Sequence, residues 1–275
     1  MCLEHGLGLK WYLQPKNYQP SKANLKFIEE FFLNLEQVFT KKGKEKAEFL
    51  KNLVKNHRGQ VVPLEDAIKV IKTAEEVYGD SFVAAAGYCP CRKIVRGEWL
   101  PVCIGWGVLI SKSTEAGFHS QIPDEWKRYK VASGFIKEKI RYPISADEIA
   151  ELMREWEEKY NLIHGVYTFG VPYVGSICNC EFPYCYAFKD RFTYGIKEVV
   201  FKSEYVAQID PDLCVGCGKC ATRCQFGAIH VSRKTGKAYI DPTKCFGCGV
   251  CRVACEQKAI KLVDREKISV AKNLW

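Results

Sequence analysis

Several familiar signatures are missing from this 275-residue chain. No apolar run approaches the roughly 20 residues that span a bilayer, and the opening MCLEHGLGLK has no apolar signal core. The expected location is therefore the cytoplasm. No Gly-x-Gly-x-x-Gly follows a strand-like run, and neither a P-loop nor His-Glu-x-x-His occurs. Also absent is the Cys-x-x-x-Cys-x-x-Cys run of radical enzymes. Nucleotide and radical chemistry thus lack support, as does a flavin, although flavin sites often leave no short motif.

Cysteine, by contrast, is abundant, with fifteen in a chain whose 47% hydrophobic and 27% charged content is that of an ordinary globular protein. Without an export signal these thiols argue for metal ligation, because cytosolic thiols stay reduced and the thiolate is what binds metal. The odd count leaves one thiol outside any all-disulfide scheme. Intracellular hyperthermophile proteins are the exception, and a Lys- and Glu-rich composition is compatible with such an origin.

Eight cysteines fall in a duplicated segment, CVGCGKCATRC at 214–224 and CFGCGVCRVAC at 245–255. The same offset superimposes Asp210 on Asp241, Pro211 on Pro242, Ala228 on Ala259 and Ile229 on Ile260. Three cysteines at Cys-x-x-Cys-x-x-Cys spacing wrap one face of a cubane, while the fourth reaches the other cubane when two such runs are present. That rule assigns Cys214, Cys217, Cys220 and Cys255 to one [4Fe-4S] cluster, and Cys245, Cys248, Cys251 and Cys224 to a second. Gly216, Gly218, Gly247 and Gly249 let the backbone bend and bring amides towards the sulfurs. Zinc is the competing ligand for paired Cys-x-x-Cys units, but it has no need of this four-plus-four register. Two close clusters conduct single electrons.

Residues 205–263 resemble the bacterial-type two-cluster ferredoxin domain in cysteine register and in the Ala-Ile after each half. They depart from it at Gln225 and Glu256, where a proline typically follows the fourth cysteine. Upstream, CPCR at 89–92, VCIGWG from Val102, ISADEIAEL and ICNC resemble a group of ferredoxin-domain proteins of anaerobes and archaea. The resemblance implies a cysteine-bearing domain fused to the ferredoxin domain, and names no reaction.

From Tyr205 to Trp275 twelve Lys and Arg face six Asp and Glu, a formal +6 within the overall +9. Two oxidised clusters offset much of that excess, and an acidic redox partner is the expected one. Nucleic acid is not expected: Lys46, Lys51, Lys55 and Arg58 read as the wet side of an amphipathic helix.

The spacing of Leu25, Ile28, Phe32, Leu35 and Phe39 predicts a helix running to Gly43, followed by a second through Phe49, Leu50, Leu53 and Val54. Pro63 opens a helix closed by Gly79, and residues 81–88 read as a buried strand delivering Cys89 and Cys91 to one side. Residues 111–143 give no clear assignment. Ser145 to Glu148 form a capping box for a helix ending near Asn161, and short strands fill 162–177. The fold class is α+β, with a helical N-terminal region at 1–60, a cysteine-rich mixed α/β domain at 61–202 and a two-cluster domain at 203–275. A linker is placed at 189–203.

Six cysteines remain in the middle domain: Cys89, Cys91, Cys103, Cys178, Cys180 and Cys185. Folding could gather them as a third iron–sulfur centre, a structural zinc, a redox dithiol or buried free thiols. For a four-ligand centre, Cys91, Cys103, Cys178 and Cys180 are preferred, two from each half. Arg92 could bond cluster sulfur or an anion, though an ion pair is commoner. His164 reads as a core histidine; Tyr184, Tyr186 and Phe188 read as packing; Cys2 and His5 lie at a loose terminus. The leading function is electron transfer through two clusters to the upstream centre. The alternatives are a reductase whose upstream centre binds substrate, for example a sulfur compound, and a structural or redox-sensing protein with an upstream zinc.

Overall fold

The computed structural model describes residues 7–35, 37–82, 84–87, 89–97, 102–106 and 145–275. The segment 111–143, Cys2 and His5 lie outside the described residues. Strands β1 (Gly59–Val62), β2 (Ala84–Gly87), β3 (Cys103–Trp106), β4 (Ile163–Thr168), β5 (Val174–Cys180) and β6 (Val200–Phe201) form one sheet in the order β2-β3-β5-β4-β1-β6. Neighbours pair antiparallel except β1 and β6, which are parallel.

Helices cover both faces. On one side α4 (Leu64–Tyr78) and α6 (Ala146–Tyr160) bury Val70, Ile71, Ile149 and Met153 against Val62, Val166 and Ile177. On the other side α1 (Lys22–Leu33), α2 (Gln37–Thr40), α3 (Gly43–Leu53) and α7 (Tyr186–Tyr194) surround Ile28, Leu50, Val61, Ile163 and Tyr167. Alternation along β4 and β1 explains the split, since successive side chains face opposite layers. Such double coverage makes β1 buried throughout. The short helix α5 (Pro90–Arg96) follows β2.

Local signals act as the sequence predicts at α4, stopped by Gly79 at φ +50°, and at α6. There Ser145 Oγ accepts from the Glu148 amide and the Glu148 carboxylate accepts from the Ser145 amide. The single helix expected to end at Gly43 is instead two. Asn34 ends the first, its carbonyl and side-chain oxygen both taken by Gln37, and Gly43 starts α3. Such local bonding from Asn competes with the helical ladder. The expected linker at 189–203 is also corrected. It contains most of α7 and all of β6, with Val199, Val200, Phe201 and Ser203 buried. Strand β1 likewise runs across the boundary expected at residue 60.

The C-terminal segment holds two small antiparallel pairs, β7 (Tyr205–Ile209) with β10 (Ile260–Asp264) and β8 (Ile229–Val231) with β9 (Ala238–Ile240). Helix α8 (Lys219–Arg223) and the 3-10 turn Val250–Ala254 lie in equivalent places of the two halves. This segment packs directly on the large sheet and its helices. Arg265 is fully buried and donates to the carbonyls of Ser203, Tyr205 and Cys245. Arg252 pairs with Glu65 of α4 at 2.8 Å, and Arg223 donates to the Glu157 and Glu158 carbonyls that end α6. No described helix is long and apolar enough to cross a membrane.

Candidate metal centres

Each half of the repeat begins on an aspartate turn. Asp210 and Asp241 accept amides two residues on through their side chains, and their carbonyls receive the amides of Cys214 and Cys245. The chain then turns back at Gly216 and Gly247, at φ +73° and +69°. A Cβ on Gly216 would stand 1.9 Å from the Gly236 carbonyl oxygen, and one on Gly247 2.0 Å from that of Tyr205. Glycine is thus required twice over, by conformation and by space.

The turns aim amides at sulfur, from Gly216 to Cys214 at 3.4 Å and from Gly247 to Cys245 at 3.3 Å. Four further amides do the same: Ala238 to Cys214, Ala207 to Cys245, Ala228 to Cys224 and Ala259 to Cys255. Of these alanine donors only Ala228 and Ala259 carried a signal in the sequence, the repeated Ala-Ile; Ala207 and Ala238 carried none. Cys214, Cys217, Cys220 and Cys255 line one cavity. Cys224, Cys245, Cys248 and Cys251 line another.

The two cavities differ in setting. Cys217 is exposed, whereas Cys245, Cys248 and Cys251 are all buried. Burial raises the Cys248 thiol well above the ordinary range and pushes Cys251 up to about 12. Three cations crowd the inner cavity. Arg265 bonds the Cys245 carbonyl, while Arg191 and Lys202 stand 5.2 and 5.5 Å from the Phe246 ring centre.

Upstream, all six cysteines line a single cavity. Its floor is the sheet. Cys178 and Cys180 share a face of β5, and Cys103 is the register partner of Cys178 on β3. Cys89 and Cys91 come from the turn into α5, and Cys185 is the N-cap of α7. The helix at Pro90 replaces the expected strand continuation, yet both its cysteines still reach the cavity. Each thiol's titration is shifted by two of the others, in the order Cys89–Cys91–Cys185–Cys180–Cys178–Cys103 and back to Cys89.

The direction of the shift alternates in that order. Cys89, Cys185 and Cys178 are lowered, the last to about 6, because each accepts from two neighbouring thiols, and those neighbours are raised for the same reason. Backbone amides help select the lowered set: that of Arg92 bonds Cys89 at 3.4 Å, and that of Phe188 bonds Cys185. The four-ligand subset Cys91, Cys103, Cys178 and Cys180 is not set apart from the other two.

The walls are apolar: Phe31, Leu35, Phe39, Tyr167, Phe169 and Tyr186. His57, unremarked in the sequence, lies among them with Nδ1 2.7 Å from the Thr168 carbonyl and Nε2 3.2 Å from the Tyr186 hydroxyl. Burial lowers its pKa to about 4, so it is neutral; Nδ1 donates and Nε2 accepts. Arg92 is buried in a 2.7 Å ion pair with Glu181. His164 lies in the sheet with Nδ1 2.6 Å from Asn179 Oδ1, as a core histidine does. Tyr184 instead carries Arg96 on its ring, and Phe188 packs on Phe226 and Phe246. Among the described residues no three His, Cys, Asp or Glu converge to hold a single metal ion, which is as true of the repeat as of the upstream six.

Comparison with known families agrees with the repeat geometry: residues 207–230 and 238–261 each match the 4Fe-4S binding domain. The C-terminal segment is therefore a ferredoxin-type iron–sulfur domain with two repeats, and electron transfer with a redox partner is its role. A comparison with curated proteins finds no match.

Proposed function

We propose that the protein carries single electrons along three centres. Cys214, Cys217, Cys220 and Cys255 hold the outer [4Fe-4S] cluster, Cys224, Cys245, Cys248 and Cys251 the inner one, and the upstream cysteines the terminal iron–sulfur centre. One observation carries this reading. Cys248 of the inner set shares a hydrophobic core with Cys180 and Cys185 of the upstream set, around Phe188 and Phe246. The cations Arg191, Lys202 and Arg265 near Phe246 and Cys245 favour reduction of the inner cluster, because positive charge stabilises the more negative state. Electrons then run inward from the exposed Cys217 side. The basic surplus of the domain suits an acidic donor in the cytoplasm.

A second reading makes the terminal centre a reductase site. Cys103 and Cys178 are only half-buried, and the cavity beside them is walled by aromatics that would admit a small apolar or sulfur-containing molecule. Both readings need iron upstream; a zinc there belongs to the structural alternative.

Low-temperature electron paramagnetic resonance of the reduced full chain tests the path. Wild type is expected to show the ferredoxin pair plus a further signal, and Cys91→Ser with Cys178→Ser to lose only the latter. Identical spectra from the wild type and the double variant would overturn the terminal centre.

A further inference from the structure

The two halves of the repeat are alike in backbone and unlike in what lies over them. The alignment that sets Cys245 on Cys214 also sets Phe246 on Val215 and Cys248 on Cys217. Phe246 is 3% exposed and lies in the core it shares with α7, packed on Phe188 and Phe192. Val215 is 64% exposed, more than any other large hydrophobic side chain among the described residues. Cys248 is buried and Cys217 exposed. In the inner half, then, this face is where the large sheet and its helices dock. The outer half presents the equivalent face to solvent.

The β8–β9 hairpin frames that outer face. A Cβ on Gly216 would stand 1.9 Å from the Gly236 carbonyl oxygen, and one on Gly218 3.8 Å from Val231, so the hairpin runs alongside the loop that carries Cys217. Lys237 Nζ fastens it there, donating to the Cys214 carbonyl at 2.5 Å. Val231 is itself exposed and extends the apolar surface begun by Val215. From Leu213 to Ile240 the chain has five Lys and Arg and no Asp or Glu, so the charge of this stretch has one sign. Lys219 pairs with Glu256, Arg223 bonds the carbonyls that end α6, and Lys237 bonds the loop. Arg233 and Lys234 stand exposed at the hairpin turn. The nearest acids in the chain, Asp212 and Asp241, lie on the turns before Cys214 and Cys245.

We propose that this outer face, with Val215 and Val231 at its centre and Arg233 and Lys234 at its rim, docks an acidic protein that donates single electrons. The inference rests on electron entry at the Cys217 side, proposed above. Exposed valines give up their water on contact, while a rim of one sign steers the encounter and sets its orientation. A donor seated on Val215 lies against the loop of Cys214 and Cys217, two of the ligands proposed for the outer cluster. One electron leaves the donor's reduced iron–sulfur or flavin centre and reduces that cluster by one; no atom is transferred. The face is used in the same way in both halves: the inner one passes electrons to the docked sheet, and the outer one receives them from a docked protein.

Stopped-flow reduction of the full chain, purified without oxygen, tests the surface. The probe donor is a reduced, acidic bacterial-type ferredoxin, and photoreduced deazaflavin is the small reductant that needs no docking. Arg233→Glu with Lys234→Glu is expected to slow reduction by the ferredoxin about tenfold or more at low salt, with the gap closing at high salt as the charges are screened. Val215→Ser should slow it several-fold at every salt concentration. Both variants should keep wild-type iron content and wild-type rates with deazaflavin, which shows that the clusters and the fold are intact. Wild-type rates with ferredoxin in both variants would overturn the docking surface and leave the three-centre path standing, since the paramagnetic resonance test of that path does not involve these residues. A wild type that deazaflavin reduces but the acidic ferredoxin does not would overturn the acidic donor.

Discussion

The ferredoxin domain and the upstream cavity both gather cysteines, but they do so by opposite means. The ferredoxin cysteines are local in sequence, and the core around them is small: Val206, Ala207, Ala228, Ile229, Ala259 and Ile260 with the cysteines themselves. The upstream six come from β3, β5 and two helix starts, and rest on a sheet with a helical layer on either face. In the first region bound clusters would complete the fold; in the second the sheet and its helical layers already supply a core. Small segments that bury little core depend on such staples.

Removing the metal breaks this comparison most directly. Anaerobic chelation is expected to unfold 205–263 while the large sheet stays folded. Amide exchange checks it, with protection lost from β7 and β10 and kept in β1 and β4. Protection lost in both regions at the same chelator concentration would show that the upstream scaffold also needs its metal.

Backbone geometry sharpens the comparison inside the repeat. Gly227 and Gly247 both have positive φ, at +62° and +69°, but a Cβ on Gly227 meets nothing within 4 Å. Gly227→Ala should therefore cost only the left-handed penalty, about 1 kcal/mol. Gly247→Ala adds a collision with the Tyr205 carbonyl, and should cost several-fold more with loss of the inner cluster. Iron content and visible absorption of the two variants, purified side by side, distinguish these outcomes.

A third expected effect lies at the seam between the regions. Glu204 sits between β6 and β7 and accepts from the Lys10 amide, and burial raises its pKa to about 7. The folded state thus holds a proton that the unfolded state releases near the ordinary carboxylate value. Stability is full below that value and falls as pH rises through about 7, by at most about 3 kcal/mol for this group. Glu157, also pushed up to about 7 by burial, acts with the same sign. Denaturant midpoints from pH 5 to pH 8 should fall in the wild type and fall less in Glu204→Gln. Equal slopes would place the titration elsewhere.

The sequence carried the ferredoxin domain almost whole, because its ligand rule is local and repeated. It also carried α4 and α6, whose caps are short-range. Folding was expected to gather the six upstream cysteines, and they line one cavity, but which strands and helix starts bring them there was not legible, since it depends on strand order in a sheet built from distant segments. His57 was missed for the same reason: it meets Thr168 and Tyr186 only across the fold. The supposed linker failed because a polar-looking stretch, KDRFTYGIKEVVFKS, hides Arg191 and Lys202 behind carbonyl partners supplied by other elements.

Gln225 is the smallest of the tests and the one that joins the two regions. In the sequence it is a departure from ferredoxin-type domains, which typically have proline there. In the structure it is a tie. Its side-chain oxygen accepts from the Phe182 amide at 2.7 Å, and its nitrogen donates to the Asn161 carbonyl at the end of α6. Beside it Phe226 stacks on Phe246, with ring centres 3.9 Å apart, between the inner cavity and α7. A proline could make neither bond. Gln225→Ala leaves a part-buried amide and carbonyl unmet and should cost about 1–2 kcal/mol, read as a lower denaturant midpoint with iron content unchanged. Gln225→Pro should weaken docking equally without disturbing the ferredoxin spectrum, because Cys224, the proposed ligand, and the Ala228 amide that bonds it are untouched. If proline instead stabilises the chain, the departure is a matter of loop conformation and the contacts across the seam lie elsewhere.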